Sequence, residues 1–232
     1  MKTLKDKAIV ITGAGGVIAG EVTEALAEAG ARPILVDRDR VRIEGLAASF
    51  GSIAIQEDLM SADSARRAAD AAVERMGRVD GLVHLIGAIV PGRLDEVEED
   101  AFDAAFDSNV RTLFHAVRAF LPHLRRQEEG WIASIGAAQA FYGVSPGASL
   151  FAAAKGAAAT MLRSLDAELE GTGVGVSIIT PLAPVDTGAA RRALRAETGA
   201  WISPAAVARA FRAAARSGHG GRLLEVPVHP PR

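Results

Sequence analysis

The sequence predicts an α/β fold in which a parallel sheet is covered by helices on both faces. Short apolar runs alternate with longer alanine-rich segments of helical period along the 232 residues. The runs are apolar at nearly every position, as expected of strands that are buried on both faces. No stretch rich in proline, glycine or serine divides the chain, so we expect residues 1–232 to form a single doubly wound domain.

Seven apolar runs predict a seven-stranded parallel sheet. Each is short and bounded by glycine, proline or charged residues, which is typical of strands in alternation with helices. The predicted strands are Lys7–Thr12, Pro33–Asp37, Ser52–Gln56, Asp80–Ile86, Trp131–Ile135, Val174–Thr180 and Arg222–Val226.

The segments between these runs predict six helices. They are Val17–Gly30, Arg40–Phe50, Ser61–Met76, Glu99–Arg126, Pro146–Glu170 and Pro204–Arg216. Ser61 is expected to cap its helix through the hydroxyl, and Gly77 to end the same helix. Pro122 is expected to kink or end the last part of the long fourth helix, because proline lacks the N–H group that a helix needs.

Composition excludes several classes of function. A formal net charge of −2 produces no overall field that would attract nucleic acid or an anionic membrane, and the arginines at 191, 192 and 195 are typical of a solvated helix face. The chain has no cysteine, and its first residues, MKTLKD, lack the apolar run of a secretory signal. No stretch reaches about 18 consecutive apolar residues. We therefore expect a cytoplasmic protein without nucleic-acid or membrane partners.

A glycine-rich turn, TGAGGVIAG, begins at Thr12 and joins the first predicted strand to the first helix. Such a turn bends the backbone sharply and directs the N–H groups of the following helix toward a phosphate. Asp37 ends the second strand, where a carboxylate can accept hydrogen bonds from an adenosine ribose. This context predicts a Rossmann-like dinucleotide-binding domain. The alternatives are a purely structural turn and an aspartate that caps the helix starting near Asp39.

The turn resembles the pattern Thr-Gly, three residues, Gly, any residue, Gly of the short-chain dehydrogenase/reductase family, and the resemblance covers nearly the whole chain. Val17 and Ala19 replace the second and third glycines, so a branched side chain stands where the family's backbone approaches the pyrophosphate. The resemblance implies that a dinucleotide contacts Gly13, Gly15, Gly16, Val17, Ile18, Asp37, Arg38, Asp58, Leu59, Gly87, Lys155 and Thr187.

The resemblance also favours one nucleotide. Asp37 would accept bonds from both ribose hydroxyls of NAD and repel the 2′-phosphate of NADP, a preference that the adjacent Arg38 softens. NAD is therefore the expected cofactor, with NADP second. In His84-Leu85-Ile86-Gly87, where the family has Asn-Asn-Ala-Gly, Ile86 adds bulk beside the cofactor. His84 is expected to be a hydrogen-bonded core histidine, and we predict no metal site because no second ligand stands at a suitable spacing.

The family transfers a proton with a tyrosine, a lysine four residues later, a serine and a relay asparagine. Residues i and i+4 share one helix face, which places the tyrosine and lysine at one site. Here Lys155 and Asn109 match the lysine and the asparagine, but Phe151 occupies the tyrosine position and Ala137, or Ala138 if the loop shifts, the serine position. The resemblance thus identifies a degenerate member without the active-site tyrosine and serine.

Tyr142, in the loop after the fifth predicted strand, is the chain's sole tyrosine and the candidate substitute for the proton donor. The alternative is that Tyr142 lines the pocket or packs there. Lys155 is the only lysine after Lys7, which favours a retained role in bonding the nicotinamide ribose. A short lid over substrate is expected at about residues 187–202.

Three functions stay open. The first is an NAD(P)-dependent oxidoreductase of alcohols or ketones, with ordinary redox activity in doubt. The second is a catalytically silent protein, or pseudoenzyme, that binds a nucleotide or other small ligand and acts as a sensor or partner subunit. The third is isomerase or lyase chemistry that uses Tyr142, His84 or Lys155. Since the family's last strand often joins tetramer contacts, the resemblance implies a homo-oligomer, either a dimer or a tetramer.

Overall fold

The computed structural model describes residues 1, 3–141, 146–194, 200–217 and 223–231. Within them, seven strands pair in parallel throughout. The strands are β1 Ala8–Thr12, β2 Arg32–Asp37, β3 Ile53–Gln56, β4 Gly81–His84, β5 Gly130–Ile135, β6 Val174–Pro181 and β7 Leu224–Val228. Their order across the sheet is β3-β2-β1-β4-β5-β6-β7, which confirms the predicted seven-stranded parallel sheet.

The described helices lie between these strands. They are α1 Val17–Glu28, α2 Arg40–Phe50, α3 Ala62–Met76, α4 Asp100–Phe106, α5 Thr112–Leu124, α6 Ser149–Glu168, α7 Gly188–Leu194 and α8 Pro204–Arg216. The predicted helix Glu99–Arg126 corresponds to α4 and α5, which a π-helical turn at Asp107–Arg111 joins end to end. The long helix is therefore present, with a π-helical turn inside it that the sequence did not predict.

Side chains of each strand alternate between two hydrophobic cores. In β1, Val10 packs into the core formed with α3, α5 and α6. Its neighbours Ile9 and Ile11 point to the opposite face and pack with α1, α2 and α8. Since successive strand residues point to opposite faces, a strand that is apolar at every position must be covered on both sides. The doubly wound arrangement is confirmed.

Local signals set several helix ends where the sequence predicts them. The Ser61 hydroxyl accepts a hydrogen bond from the Ser64 N–H at the start of α3, and Gly77 ends that helix in the left-handed conformation. Pro122 lies inside α5, which ends two residues later at Leu124. Short polar side chains and glycines achieve this because they satisfy or release the backbone groups that a helix end leaves unpaired.

The strand order reverses between β1 and β4, so the connections that follow these two strands leave in opposite directions. This divergence opens a crevice at the carboxyl edge of the sheet, where ligands bind in open α/β folds. The glycine turn, Gly87 and Ala137 follow strand ends at this edge, and Asp37 is the last residue of β2. Sheet topology therefore gathers residues that are far apart in sequence.

At the amino ends of the strands, a buried carboxylate joins β1 to β4. Asp80 is fully buried and accepts a hydrogen bond from the Ala8 N–H at 2.9 Å. The Arg78 guanidinium donates to both of its carboxylate oxygens, and the Lys7 ammonium lies 3.5 Å away. The pKa of Arg78 is raised, chiefly by its hydrogen bond to Asp80. Asp80 thus fixes the start of both central strands.

We expect Asp80→Ala to lower the free energy of unfolding by about 1–3 kcal/mol, because the buried Ala8 N–H loses its acceptor. Urea unfolding followed by circular dichroism measures the change. The control is Glu44→Ala, since the exposed pair of Glu44 with Arg40 is worth roughly 0–1 kcal/mol. Equal losses in the two variants would contradict this role for Asp80.

Candidate functional site

The glycine turn is held against the end of β4. Gly13 has a φ of +73°, and a Cβ added there would lie 2.8 Å from the Ile86 backbone nitrogen. Any side chain at Gly13 would therefore collide with the main chain of the neighbouring connection. The Ala14 N–H donates to the Val36 oxygen at 3.2 Å, which ties the turn to β2 as well.

Asp37 fixes the middle of the turn. Its carboxylate accepts hydrogen bonds from the Gly15 N–H at 3.0 Å and from the Asp39 N–H at 2.9 Å. Asp39, rather than Asp37, caps α2, because its side chain accepts from the Arg42 N–H. The capping alternative for Asp37 is therefore wrong, and its carboxylate instead positions the turn at the crevice.

The first turn of α1 presents free backbone donors. Gly16 caps the helix with an extended backbone, and its N–H bonds the Gly13 oxygen. In the described part of the chain, the N–H groups of Val17 and Ile18 have no backbone acceptor, as at the start of any α-helix. The Val17 side chain is 61% exposed. The branched residue therefore stays in solvent and leaves the start of the helix well formed.

Three residues that the resemblance places near the adenosine differ in accessibility. Arg38 is exposed, and its carbonyl oxygen accepts a hydrogen bond from the Gln56 amide. Asp58 is also exposed, and its carboxylate accepts a hydrogen bond from the Met60 N–H. Leu59 is 1% exposed and packs into a core, so its side chain is unavailable to a ligand.

Sequence reasoning missed Arg42, which lies beside the predicted ribose-binding carboxylate. Its guanidinium is 3.5 Å from the Gly15 carbonyl oxygen, and it also forms an ion pair with Asp39. Arg42 lies in the first turn of α2, five residues after Asp37. The sequence did contain a signal for it. Asp39 predicts the start of α2, and the side chain of the third residue of a helix points back toward the start of that helix.

His84 is a buried structural residue, as predicted. Its Nδ1 is 2.8 Å from the Thr12 hydroxyl and its Nε2 is 3.3 Å from the Thr112 hydroxyl. Because Thr112 donates its proton to the Ser108 carbonyl, we assign the ring proton to Nε2, with Nδ1 accepting from Thr12. Burial, aided by the charge of Lys155, lowers the pKa of His84 to about 3. The ring is therefore neutral and joins β1, β4 and the start of α5.

Lys155 and Asn109 meet at Gly87. Lys155 is 7% exposed, and its ammonium donates to the Ile135 carbonyl at 3.0 Å. A Cβ added at Gly87 would lie 3.2 Å from Lys155 Nζ and 2.6 Å from Asn109 Oδ1. Glycine is thus required here, because the amino group and the amide oxygen converge on the space beside its Cα.

Asn109 carries an unsatisfied acceptor into this space. Its amide nitrogen donates to the carbonyl oxygens of Ala88 and Ala105. Its Oδ1 is buried and has no hydrogen-bond partner among the described residues. Because a buried acceptor without a donor costs about 1–3 kcal/mol, this atom marks a place for a polar group of a ligand or a water molecule. The π-helical turn that contains Asn109 is a feature frequent at functional sites.

The predicted proton-transfer positions are filled by apolar side chains. Phe151 is 9% exposed and lies one helical turn before Lys155 on α6, and Ala137 is 7% exposed after β5. Ser134 is buried within β5 and its hydroxyl donates a hydrogen bond to the His84 carbonyl oxygen of the neighbouring strand β4. Tyr142 lies outside the described residues, and its role as a substitute donor stays a prediction.

The start of the predicted lid is held by a helix cap and an ion pair within the segment. The Thr187 hydroxyl accepts a hydrogen bond from the Ala190 N–H at 3.1 Å and so caps α7. Arg191 forms a two-pronged ion pair with Asp186, at 2.6 and 2.8 Å, and lies 4.7 Å from the centre of the Trp201 ring. Residues 195–199 of this segment lie outside the described residues.

The described ranges contain no group of three or more His, Asp or Glu side chains arranged to hold a metal ion. None of the helices in these ranges is long and apolar enough to cross a membrane. The cytoplasmic location and the lack of a metal stay predictions.

The fold and the site define a class: a doubly wound α/β protein with a glycine turn, a strand-end aspartate and a buried lysine–asparagine pair at its crevice. A family model described as short chain dehydrogenase matches residues 7–198. The chain therefore belongs to the short-chain dehydrogenase family. It is also 30% identical, over 78% of its length and 80% of the relative's, to an uncharacterized oxidoreductase of Staphylococcus saprophyticus.

Solved structures agree with this assignment. A 3-ketoacyl-(acyl-carrier-protein) reductase from Brucella melitensis, complexed with NADH, superposes with a TM-score of 0.88 over 98% of both chains at 25% identity. An alcohol dehydrogenase from Thermococcus sibiricus, complexed with 5-hydroxy-NADP, has a TM-score of 0.84 over 96% of both chains. Its identity of 24% shows the shared fold alone.

The Lys155 amino group provides a test of the site's electrostatics. Burial lowers the pKa of Lys155 from 10.5 to about 8. Between these two values the unfolded chain holds the proton that the folded chain has released, so stability rises with pH in this window. We expect the free energy of unfolding of the wild type, measured relative to that of Lys155→Met, to rise by about 2–3 kcal/mol between pH 7 and pH 10. Urea unfolding at both pH values measures it, and a difference that is independent of pH would refute the lowered pKa.

Proposed function

We propose that this chain is an NAD(H)-binding member of the short-chain dehydrogenase family that has lost the family's proton transfer. Ordinary interconversion of carbonyl compounds and alcohols is then slow or absent. The observation that carries the proposal is the buried phenyl ring of Phe151, one helical turn before a buried Lys155. It occupies the position at which the family resemblance places a phenol.

Several contacts support retention of the nucleotide. Asp37 still shapes the glycine turn, and the N–H groups of Val17 and Ile18 have no backbone acceptor in the described part of the chain. The Asn109 acceptor and the Lys155 donor still face the space beside Gly87. Both residues can bind hydroxyl groups, and a buried unsatisfied acceptor is retained at lower cost when a ligand or a water molecule pairs it.

The chemistry divides between the nucleotide and the chain. A bound nicotinamide supplies or accepts a hydride at a carbonyl carbon. The protein must then move a proton at the carbonyl oxygen, and neither the ring of Phe151 nor the methyl group of Ala137 can donate one. Removal of a positioned acid–base group typically lowers rates by about 10²- to 10⁴-fold. We therefore expect the protein to bind the cofactor but to turn over substrate slowly or not at all.

A sensor or partner-subunit role agrees with this combination of binding without efficient chemistry. His84 is a poor candidate for the isomerase or lyase alternative, because both ring nitrogens are engaged and its low pKa keeps the ring neutral. We further propose that the protein binds a small-molecule ligand, forms a dimer or a tetramer, and is a single-domain protein of the cytoplasm.

Restoring the missing groups tests the proposal. We expect Phe151→Tyr combined with Ala137→Ser to raise NADH-dependent reduction of small ketones and aldehydes by about 10²-fold or more over the wild type. Loss of absorbance at the nicotinamide band measures turnover, and isothermal titration confirms that both proteins bind NADH.

The matched control is Phe114→Tyr, which adds a hydroxyl to an exposed ring that is not among the candidate-site residues. The proposal fails if the double variant binds NADH and turnover does not rise. It also fails if the wild type already reduces the panel at rates equal to those of the double variant, or if neither protein binds a nicotinamide nucleotide.

Asp37 tests the nucleotide preference. We expect the wild type to bind NADH more tightly than NADPH, and Asp37→Asn to reduce the ratio of the two affinities by about tenfold, as expected for loss of one charge-assisted hydrogen bond. Asparagine keeps one acceptor oxygen for the Gly15 N–H and loses the one that accepts from the Asp39 N–H, so unfolding midpoints measured without nucleotide check that the turn is preserved. Isothermal titration with both nucleotides measures the ratio, and an unchanged ratio would show that Asp37 has only a structural role.

A further inference from the structure

A second concave site lies between α3 and α5, and its lining shares no residue with the candidate site. The trough has a volume of about 400 Å³. Three arginines and two histidines project into it, Arg66 from α3 and His115, Arg118, His123 and Arg126 from α5 and the turn that follows. The small side chains of this lining, at positions 62, 119 and 122, leave room among the long basic ones.

The trough carries a positive charge that the described residues do not neutralise. Arg66 is paired with Asp63 at 2.8 Å. Neither Arg118 nor Arg126 has a carboxylate within ion-pair distance in the described ranges, and the Arg118 guanidinium lies 6.0 Å from the Phe114 ring. Asp70 is the one carboxylate in the lining. A concentrated positive charge in a chain of net charge −2 indicates a site for an anion.

The histidines experience this charge directly. Burial, followed by the charges of Arg111 and Arg118, lowers the pKa of His115. Burial, followed by Arg126, lowers that of His123, which Asp70 partly opposes. His115 Nδ1 is buried and has no hydrogen-bond partner among the described residues. The trough therefore combines two unpaired guanidinium groups with an imidazole whose hydrogen bonding is incomplete.

We propose that the trough binds the phosphate group of a small anionic ligand, with Arg118 and Arg126 as its principal contacts. A phosphate monoester carries up to two negative charges and several acceptor oxygens, which match two guanidinium forks. The imidazole of His115 or His123 supplies a further donor. Asp70 lies in the lining and Asp63 pairs with Arg66 of the lining, so the site suits a ligand of pocket size and disfavours an extended polyanion.

The experiment follows the imidazole resonances of His115 and His123 by two-dimensional ¹H–¹⁵N NMR, with each assigned from its His→Gln variant. The protein is saturated with NADH, so that the glycine turn is not available to the probe. Inorganic phosphate and glycerol phosphate are added separately at constant ionic strength, with chloride as the reference. We expect saturable shifts of both rings with either phosphate and none with chloride.

Arg118→Gln and Arg126→Gln each remove one guanidinium. We expect each to weaken phosphate binding by about tenfold, as expected for loss of one charge-assisted hydrogen bond. Arg125→Gln is the matched control, because it changes the same charge at an exposed position next to Arg126 outside the lining. Unfolding midpoints measured without phosphate identify any variant that is merely unstable.

The outcomes are distinct. Tighter binding of glycerol phosphate than of inorganic phosphate supports an organic phosphate as the ligand, and equal affinity supports free phosphate. The proposal is overturned if the two rings do not respond, if chloride produces the same shifts, or if Arg125→Gln weakens binding as much as the lining variants. Isothermal titration with NADH tests the proposed nucleotide binding separately, so rings that do not respond to phosphate leave that proposal unaffected.

Discussion

The buried amino group of Lys155 is the contact around which the crevice is organised. One carbonyl oxygen, that of Ile135, accepts a hydrogen bond from it at 3.0 Å, and burial lowers its pKa. Burying a cation with so little compensation is costly, so the surrounding structure must hold it in place. Gly87 leaves the space that the ammonium needs, and Asn109 directs an unsatisfied oxygen into that same space. The two side chains thus present one donor and one acceptor to a single small space.

The rigidity behind this arrangement comes from His84 and Asp37. His84 joins two central strands to the start of α5 through a threonine on each side, and its neutral ring provides one donor and one acceptor. Asp37 joins the end of β2 to the glycine turn. These polar contacts join elements that are distant in sequence, so they position the crevice. The trough between α3 and α5 includes His115, which lies one helical turn after Thr112 on α5. Thr112 is the residue through which His84 contacts this helix.

Prediction from the sequence succeeded where one local cause dominates and failed where two elements compete. The strands were located from apolar runs, and the ends of α3 from Ser61 and Gly77, because burial and capping are local properties. The π-helical turn at Asp107–Arg111 was missed, since residue spacing does not reveal how many residues a helical turn accommodates. Arg42 was missed because its proximity to the Gly15 carbonyl depends on how α2 packs beside the glycine turn.

The sequence alone determined the seven-stranded doubly wound sheet and the residue types of the site, including phenylalanine at position 151, because hydrophobic period and residue identity are properties of the chain itself. Only the tertiary structure decided which groups are paired. It showed that Asp37 bonds the Gly15 N–H, that both nitrogens of His84 are engaged, and that Asn109 Oδ1 has no partner among the described residues. Hydrogen bonds and burial join residues distant in sequence, so their outcome depends on distances that a linear pattern does not contain.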